Sequence, residues 1–181
     1  MEGGAALNGT IHLLTWQDGV RLTLRESDFK PLVVFPLPGE GWGLCSAGAD
    51  LWLSDGSPVL RRMRPDKAGV WEELERLIVT DAGMPVTLLN ELEWIRGLLF
   101  ANVWQSDWIA VIDPAAKAAE TGECPVLFWI DCSFLADKHR NIPEGALNGI
   151  AWDDAEQRLL LAGKLWPVFY EVELPAQALR N

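Results

Sequence analysis

The feature that most constrains this chain is an internal repeat. Residues 89–113, LNELEWIRGLLFANVWQSDWIAVID, and residues 147–173, LNGIAWDDAEQRLLLAGKLWPVFYEVE, both read Leu-Asn-x-apolar-x-Trp, a turn, an apolar run closed by Trp, then a third run. Residues 41–65 follow the same plan with the Trp moved to the start, and residues 2–26 form a fourth copy. Units of this kind cannot bury their own faces and must stack on their neighbours. Short alternating runs between Gly, Pro and Asp turns, repeated at roughly 40–60 residues, predict an all-β chain built as a β-propeller. Each copy opens on a short strand containing Gly or Ala, where neighbouring units crowd around a central channel. Second strands are expected at Thr10–Trp16, Asp50–Ser54, Leu98–Trp104 and Arg158–Lys164, and third strands at Val20–Arg25, Val59–Arg64, Trp108–Asp113 and Val168–Leu174. Outer fourth strands fit Lys30–Leu37, Glu75–Thr80 and Pro125–Asp131. The blades then run over residues 1–38, 39–82, 83–132 and 144–175 of a single domain.

The last copy stops after its third strand, at Leu174, and no spare N-terminal strand is available to complete it. Propellers protect their edges by closing on themselves. The expectation is therefore about four blades, with a first blade and the closing strand missing through N-terminal truncation.

The formal charge of −11 argues against a nucleic-acid footprint. The basic groups Arg61, Arg62 and Arg64, and Lys138, His139 and Arg140, read as solvated faces. No apolar run approaches the ~20 residues of a membrane span, and no basic start followed by an apolar stretch marks a signal peptide. Three cysteines, Cys45, Cys124 and Cys132, lack metal-ligand spacing and read as free thiols. His12 and His139 stand apart, so neither a metal nor a cofactor is expected. Ten residues are Trp, against six Phe and one Tyr. Indoles serve both core filling and ligand stacking.

Seven motifs occur in a fixed order: Leu14-Thr15-Trp16, Gly39-Glu40-Gly41-Trp42-Gly43-Leu44, Ser54-Asp55-Gly56-Ser57, Leu89-Asn90-Glu91-Leu92-Glu93, Ala101-Asn102-Val103-Trp104-Gln105, Leu147-Asn148-Gly149-Ile150-Ala151 and Gly163-Lys164-Leu165-Trp166-Pro167. In this series the chain resembles the glutaminyl cyclases (glutamine cyclotransferases) of the plant and bacterial type. The resemblance implies a five-bladed propeller that converts the N-terminal glutamine of peptides to pyroglutamate with release of ammonia. It also implies a peptide or protein substrate, no nucleic-acid or membrane partner, and a secreted or periplasmic full-length form.

By the same resemblance Glu2, fourteen positions before Trp16, falls on the family's catalytic glutamate. Trp16, Trp42 and Trp104 wall the glutaminyl side chain, Asn90 orients the amide or amine, and Lys164 polarises the developing oxyanion. The chemistry suits these residue types. The attacking amine must lose a proton and departing ammonia must gain one, so a single carboxyl can serve both steps. A water-poor, Trp-lined setting would raise the pKa of Glu2 towards neutrality. Glu91 and Glu93, flanking Leu92, share one strand face as a possible carboxylate pair, with salt-bridging between blades as the alternative. Asp55-Gly56 reads as a tight turn. Two competing functions stay open: a catalytically dead propeller fragment, and a Trp-rich module that binds a peptide or sugar.

Overall fold

A computed structural model describes residues 2–174. The chain is all-β, and its strands follow one another as antiparallel meanders. The first comprises β1 (Gly4–Leu7), β2 (Thr10–Leu14), β3 (Val20–Arg25) and β4 (Pro31–Pro36). The second comprises β5 (Leu44–Ala47), β6 (Asp50–Leu53), β7 (Val59–Pro65) and β8 (Trp71–Asp81), with the two-residue β9 (Met84–Pro85) folded back on β8. The third holds β10 (Leu89–Ile95), β11 (Leu98–Val103), β12 (Trp108–Ile112) and β13 (Glu123–Asp131). The fourth holds β14 (Leu147–Asp153), β15 (Arg158–Gly163) and β16 (Tyr170–Val172). Among the described residues the one α-helical element is the single turn Ser133–Ala136. None is long and apolar enough to cross a membrane.

Alternation along each strand explains how the meanders stack. In β11, Leu99 and Ala101 face the second meander, where they pack with Cys45, Trp52, Leu77 and Val79. Leu98 and Phe100 face the fourth, where they pack with Leu147, Ile150, Leu159 and Leu161. With both faces covered, Leu98–Asn102 are all buried, which is why this strand reads as an unbroken apolar run rather than an alternating one. A third core, Leu7, Leu14, Leu37, Leu44, Leu51, Leu53 and Met63, joins the first meander to the second.

The inner strands meet backbone to backbone. A Cβ on Gly3 would fall 2.7 Å from the Gly43 backbone, and one on Gly43 would collide with the Asn90 carbonyl oxygen. Successive meanders can approach this closely only where side chains are absent.

The structure departs from sequence expectation in three places. Outer strand β13 joins β8 in parallel, Cys124 opposite Val79, so the second and third meanders share a continuous sheet at their outer edge. The arginines of β7 are solvated only in part: Arg64 is exposed and Arg62 half-buried, but both are also ion-paired. Arg62 Nε and Arg64 Nε donate to Asp50, at 2.7 and 2.6 Å, and that carboxylate is only 1% exposed. In Lys138–Arg140 the outer two residues are exposed as expected, and the departure is His139. His139 is buried, stacks on Trp166 at 4.4 Å and shares a 2.8 Å hydrogen bond with the Tyr170 hydroxyl.

Candidate active site

The repeated Leu-Asn-x-apolar motif corresponds to a local irregularity of the backbone. In the third meander Leu89 pairs with Val103 but Leu92 pairs with Ala101, so β10 holds one residue more than β11 opposite. In the fourth, Leu147 pairs with Gly163 and Ile150 with Leu161, giving β14 the same extra residue. Each is a β-bulge, a device that bends a strand and re-aims its side chains. Asn90 and Asn148 occupy the two bulges.

Both bulges are held from the preceding strands. Ser54 Oγ accepts from Gly43 N at 2.8 Å and donates to the Asn90 carbonyl at 2.6 Å, tying the second meander to the first bulge. Asn102 Oδ1, fully buried on β11, accepts from Gly149 N at 2.9 Å, tying the third meander to the second. Neither role was expected from the sequence. The signal that could have found them is a polar residue inside an apolar strand run, which must be hydrogen-bonded to be tolerated there.

The side chains re-aimed in this way line one cavity of about 370 Å³ with Glu2, Trp16, Trp42, Trp104 and Lys164. The cavity thus gathers every residue singled out for catalysis or substrate binding and adds Asn148. Trp42 packs over Gly56, where a Cβ would meet its ring at 2.7 Å, and stands edge-on to Trp104 with centroids 5.6 Å apart. Gly56 also has φ +80°, a conformation open to glycine. Asp55 closes the turn by accepting from Ser57 N at 3.1 Å.

Trp16 and Trp42 are clamped by Glu40. Both indole N–H groups donate to its Oε2, at 2.8 and 2.7 Å, and Gln17 reaches Oε1 at 3.4 Å. The Trp42 bond first, with those from Trp16 and Gln17, holds the Glu40 carboxyl below the usual carboxylate range. Lys164 is exposed and lies 3.7 Å from Glu144 Oε2. Glu2 is exposed rather than enclosed. The carboxyls driven towards neutrality are Glu91 and Glu93. Burial pushes Glu91 up to about 8, aided by the charges of Glu93 and Glu2. Burial likewise pushes Glu93 up to about 7, although its Oε1 accepts from Trp152 N at 3.2 Å. Among the described residues no group of three or more His, Cys, Asp or Glu is placed to hold a metal ion. The cysteines are all buried and free.

This set of groups, a carboxylate, an ammonium, two carboxamides and three indoles on an all-β scaffold, suits the handling of a polar side chain with an apolar stem. The family model for glutamine cyclotransferases matches residues 1–174. A glutaminyl-peptide cyclotransferase from Arabidopsis thaliana is 43% identical over 140 residues, which cover 75% of this chain and 40% of that protein. The crystal structure of a glutaminyl cyclase from Myxococcus xanthus superimposes with a TM-score of 0.82 at 35% identity, covering 94% of this chain and 70% of that one. A hydrazine synthase from Kuenenia stuttgartiensis shares only the fold, with a TM-score of 0.54 at 11% identity over 97% of this chain and 51% of its own. The chain belongs to the glutamine cyclotransferase family. Its aligned region spans about two-fifths of the Arabidopsis relative.

Proposed function

We propose that this chain carries the catalytic face of a glutaminyl-peptide cyclotransferase, in which the four meanders serve as blades of a five-bladed propeller at residues 1–38, 39–82, 83–132 and 144–175. The observation that carries the reading is the single cavity lined by Glu2, Trp16, Trp42, Asn90, Trp104 and Lys164.

The α-amine of an N-terminal glutamine attacks its own side-chain amide carbon. A five-membered ring closes, the bond from that carbon to the amide nitrogen breaks, and ammonia leaves. The α-amine has an ordinary pKa of about 7.7–8.0, so a useful fraction is neutral near physiological pH. Much of the proximity is built into the substrate, and the site's task is to fold the side chain back and move one proton. The indoles of Trp16, Trp42 and Trp104 wall the aliphatic stem. Asn90 orients the amide. Lys164, exposed and only loosely paired with Glu144, turns its ammonium onto the amide oxygen as negative charge develops there. Glu2 takes the proton lost by the attacking nitrogen and delivers it to the departing one. A glutaminyl side chain seated between the indoles displaces water from the carboxylate. An N-terminal glutamate would instead set a second carboxylate against Glu2 and is rejected.

The test is ammonia release from Gln-peptides by this chain and its Glu2→Gln variant. Gln keeps the shape of Glu and cannot exchange a proton. The variant should lose about 10²–10⁴-fold in kcat. Activity surviving within about tenfold removes Glu2 from the proton-transfer role, and peptide binding without any ammonia release favours a binding module.

A further inference from the structure

A second cavity opens at the end of the same strand. We infer that it is a subsite for one apolar side chain of the substrate peptide, a few residues downstream of the N-terminal glutamine. The inference rests on the cyclotransferase reading above.

The cavity, about 300 Å³, is lined by Val103, Ser106, Trp108 and Trp129. Trp129 lies opposite Ala110 and Trp108 opposite Asp131 across the β12–β13 pair. Strand alternation therefore puts both indoles on the face turned towards the second meander. Trp129 is fixed there by its Nε1, which donates to Asp81 Oδ2 at 3.2 Å. Trp108 is 44% exposed, so a broad apolar ring stands open to solvent beside a crevice it only partly fills. The hydroxyl of Ser106 already accepts from Trp108 N at 3.0 Å. Among the described residues no charged side chain lines the space. This chemistry fits an apolar side chain and offers little to a sugar or an acidic group, which the nearby Asp81 would also oppose.

The crevice adjoins the candidate active site across a single chain segment. Val103 and Trp104 are consecutive at the end of β11, Val103 walling the crevice and Trp104 the active-site cavity. The backbone there is anchored by Trp104 N, which donates to the Leu88 carbonyl at 2.8 Å. One short segment, residues 103–108, thus separates the two cavities. An extended peptide advances about 3.3 Å per residue, so a chain leaving the active site over Trp104 needs only a few residues to bring a side chain to the crevice.

The experiment uses Gln-peptides of otherwise Gly and Ser residues with a single Phe moved through positions two to five. The readout is kcat/KM for ammonia release relative to the all-polar peptide. Phe at one of these positions should raise the ratio about tenfold over the others, the change expected for burying part of one aromatic side chain. That ratio should fall towards one in Trp108→Ser and in Trp129→Leu, a comparison that cancels any effect on the shared chemistry. Equal rates for all positions, or a ratio untouched by both substitutions, overturns the subsite. If no peptide releases ammonia, the cyclotransferase reading fails for this chain. The subsite is then decided by calorimetric Kd values for the same peptides, and equal affinities overturn it independently.

Discussion

At the scale of single residues, the least expected member of the site is Glu40. Nothing in Gly39-Glu40-Gly41-Trp42 marks the Glu, because one of the indoles it holds lies 24 residues away in sequence. Yet a single carboxylate oxygen accepts from both Trp16 and Trp42, fixing two of the three aromatic walls. Its lowered pKa keeps the acceptor ionised to lower pH than an ordinary carboxylate. Glu40→Leu frees two indoles that are otherwise aimed. Because the loss is of substrate positioning rather than of a proton carrier, KM for a Gln-peptide should rise about tenfold, with kcat changing less. A kcat loss as large as that of Glu2→Gln, with KM unchanged, would contradict the assignment. Glu2 is exposed, so the fold alone does not give it the water-poor setting expected from its Trp neighbours; on the proposed reading, substrate would supply it.

At the scale of strands, the repeat was readable and its geometry was not. Strand β3 lies at Val20–Arg25 as expected, and β11 and β15 fall within a residue of their expected spans, since apolar periodicity and Gly or Asp turns report local conformation. The bulges at Asn90 and Asn148 were invisible, because a bulge is defined against a partner strand and one sequence carries no register. The parallel joint between β8 and β13 was missed for the same reason, as it pairs segments some 45 residues apart. The cavity residues were legible through family resemblance, whereas Ser54 and Asn102 lie in the same series of motifs but act on backbone groups of other strands, a role the motifs do not disclose. Their substitution is informative. Ser54→Ala leaves the buried Gly43 N–H and the Asn90 carbonyl without this shared partner, and Asn102→Leu does the same to Gly149 N–H. Each should cost about 1–3 kcal/mol in urea unfolding, the penalty for an orphaned buried polar group. Gly43→Ala should be worse, since its Cβ meets backbone that cannot move aside, and this variant should fail to accumulate as folded protein. A Ser54→Ala midpoint equal to that of the parent would show that the bulge needs no such support.

At the scale of the whole molecule, stability should depend on pH through carboxyls that the fold keeps out of water. Glu91 and Glu93 have pKa values of about 8 and about 7 in the folded chain, against 4.5 ordinarily. The groups facing them are each other, Glu2, the buried Cys45 thiol and the Trp152 amide. Below about pH 4.5 both carboxyls are protonated in either state and their contribution is fully present. As pH rises, the unfolded chain releases protons that the folded chain retains, so stability falls until Glu91 ionises in place. His12 works in the other direction. Burial, and then the charge of Arg21, lowers it from 6.5 to about 4, so stability is lost as pH falls through that window. The two effects oppose each other between about pH 4.5 and 6.5, and above that the carboxyls act alone. Glu91→Gln replaces the group with a neutral near-isostere of its protonated form. The variant should match the parent near pH 4 and exceed it near pH 8 by on the order of 2 kcal/mol, a figure discounted for partial solvent screening. Parallel profiles for the two proteins from about pH 5 to 8 in chemical unfolding would mean that Glu91 ionises freely in the folded chain.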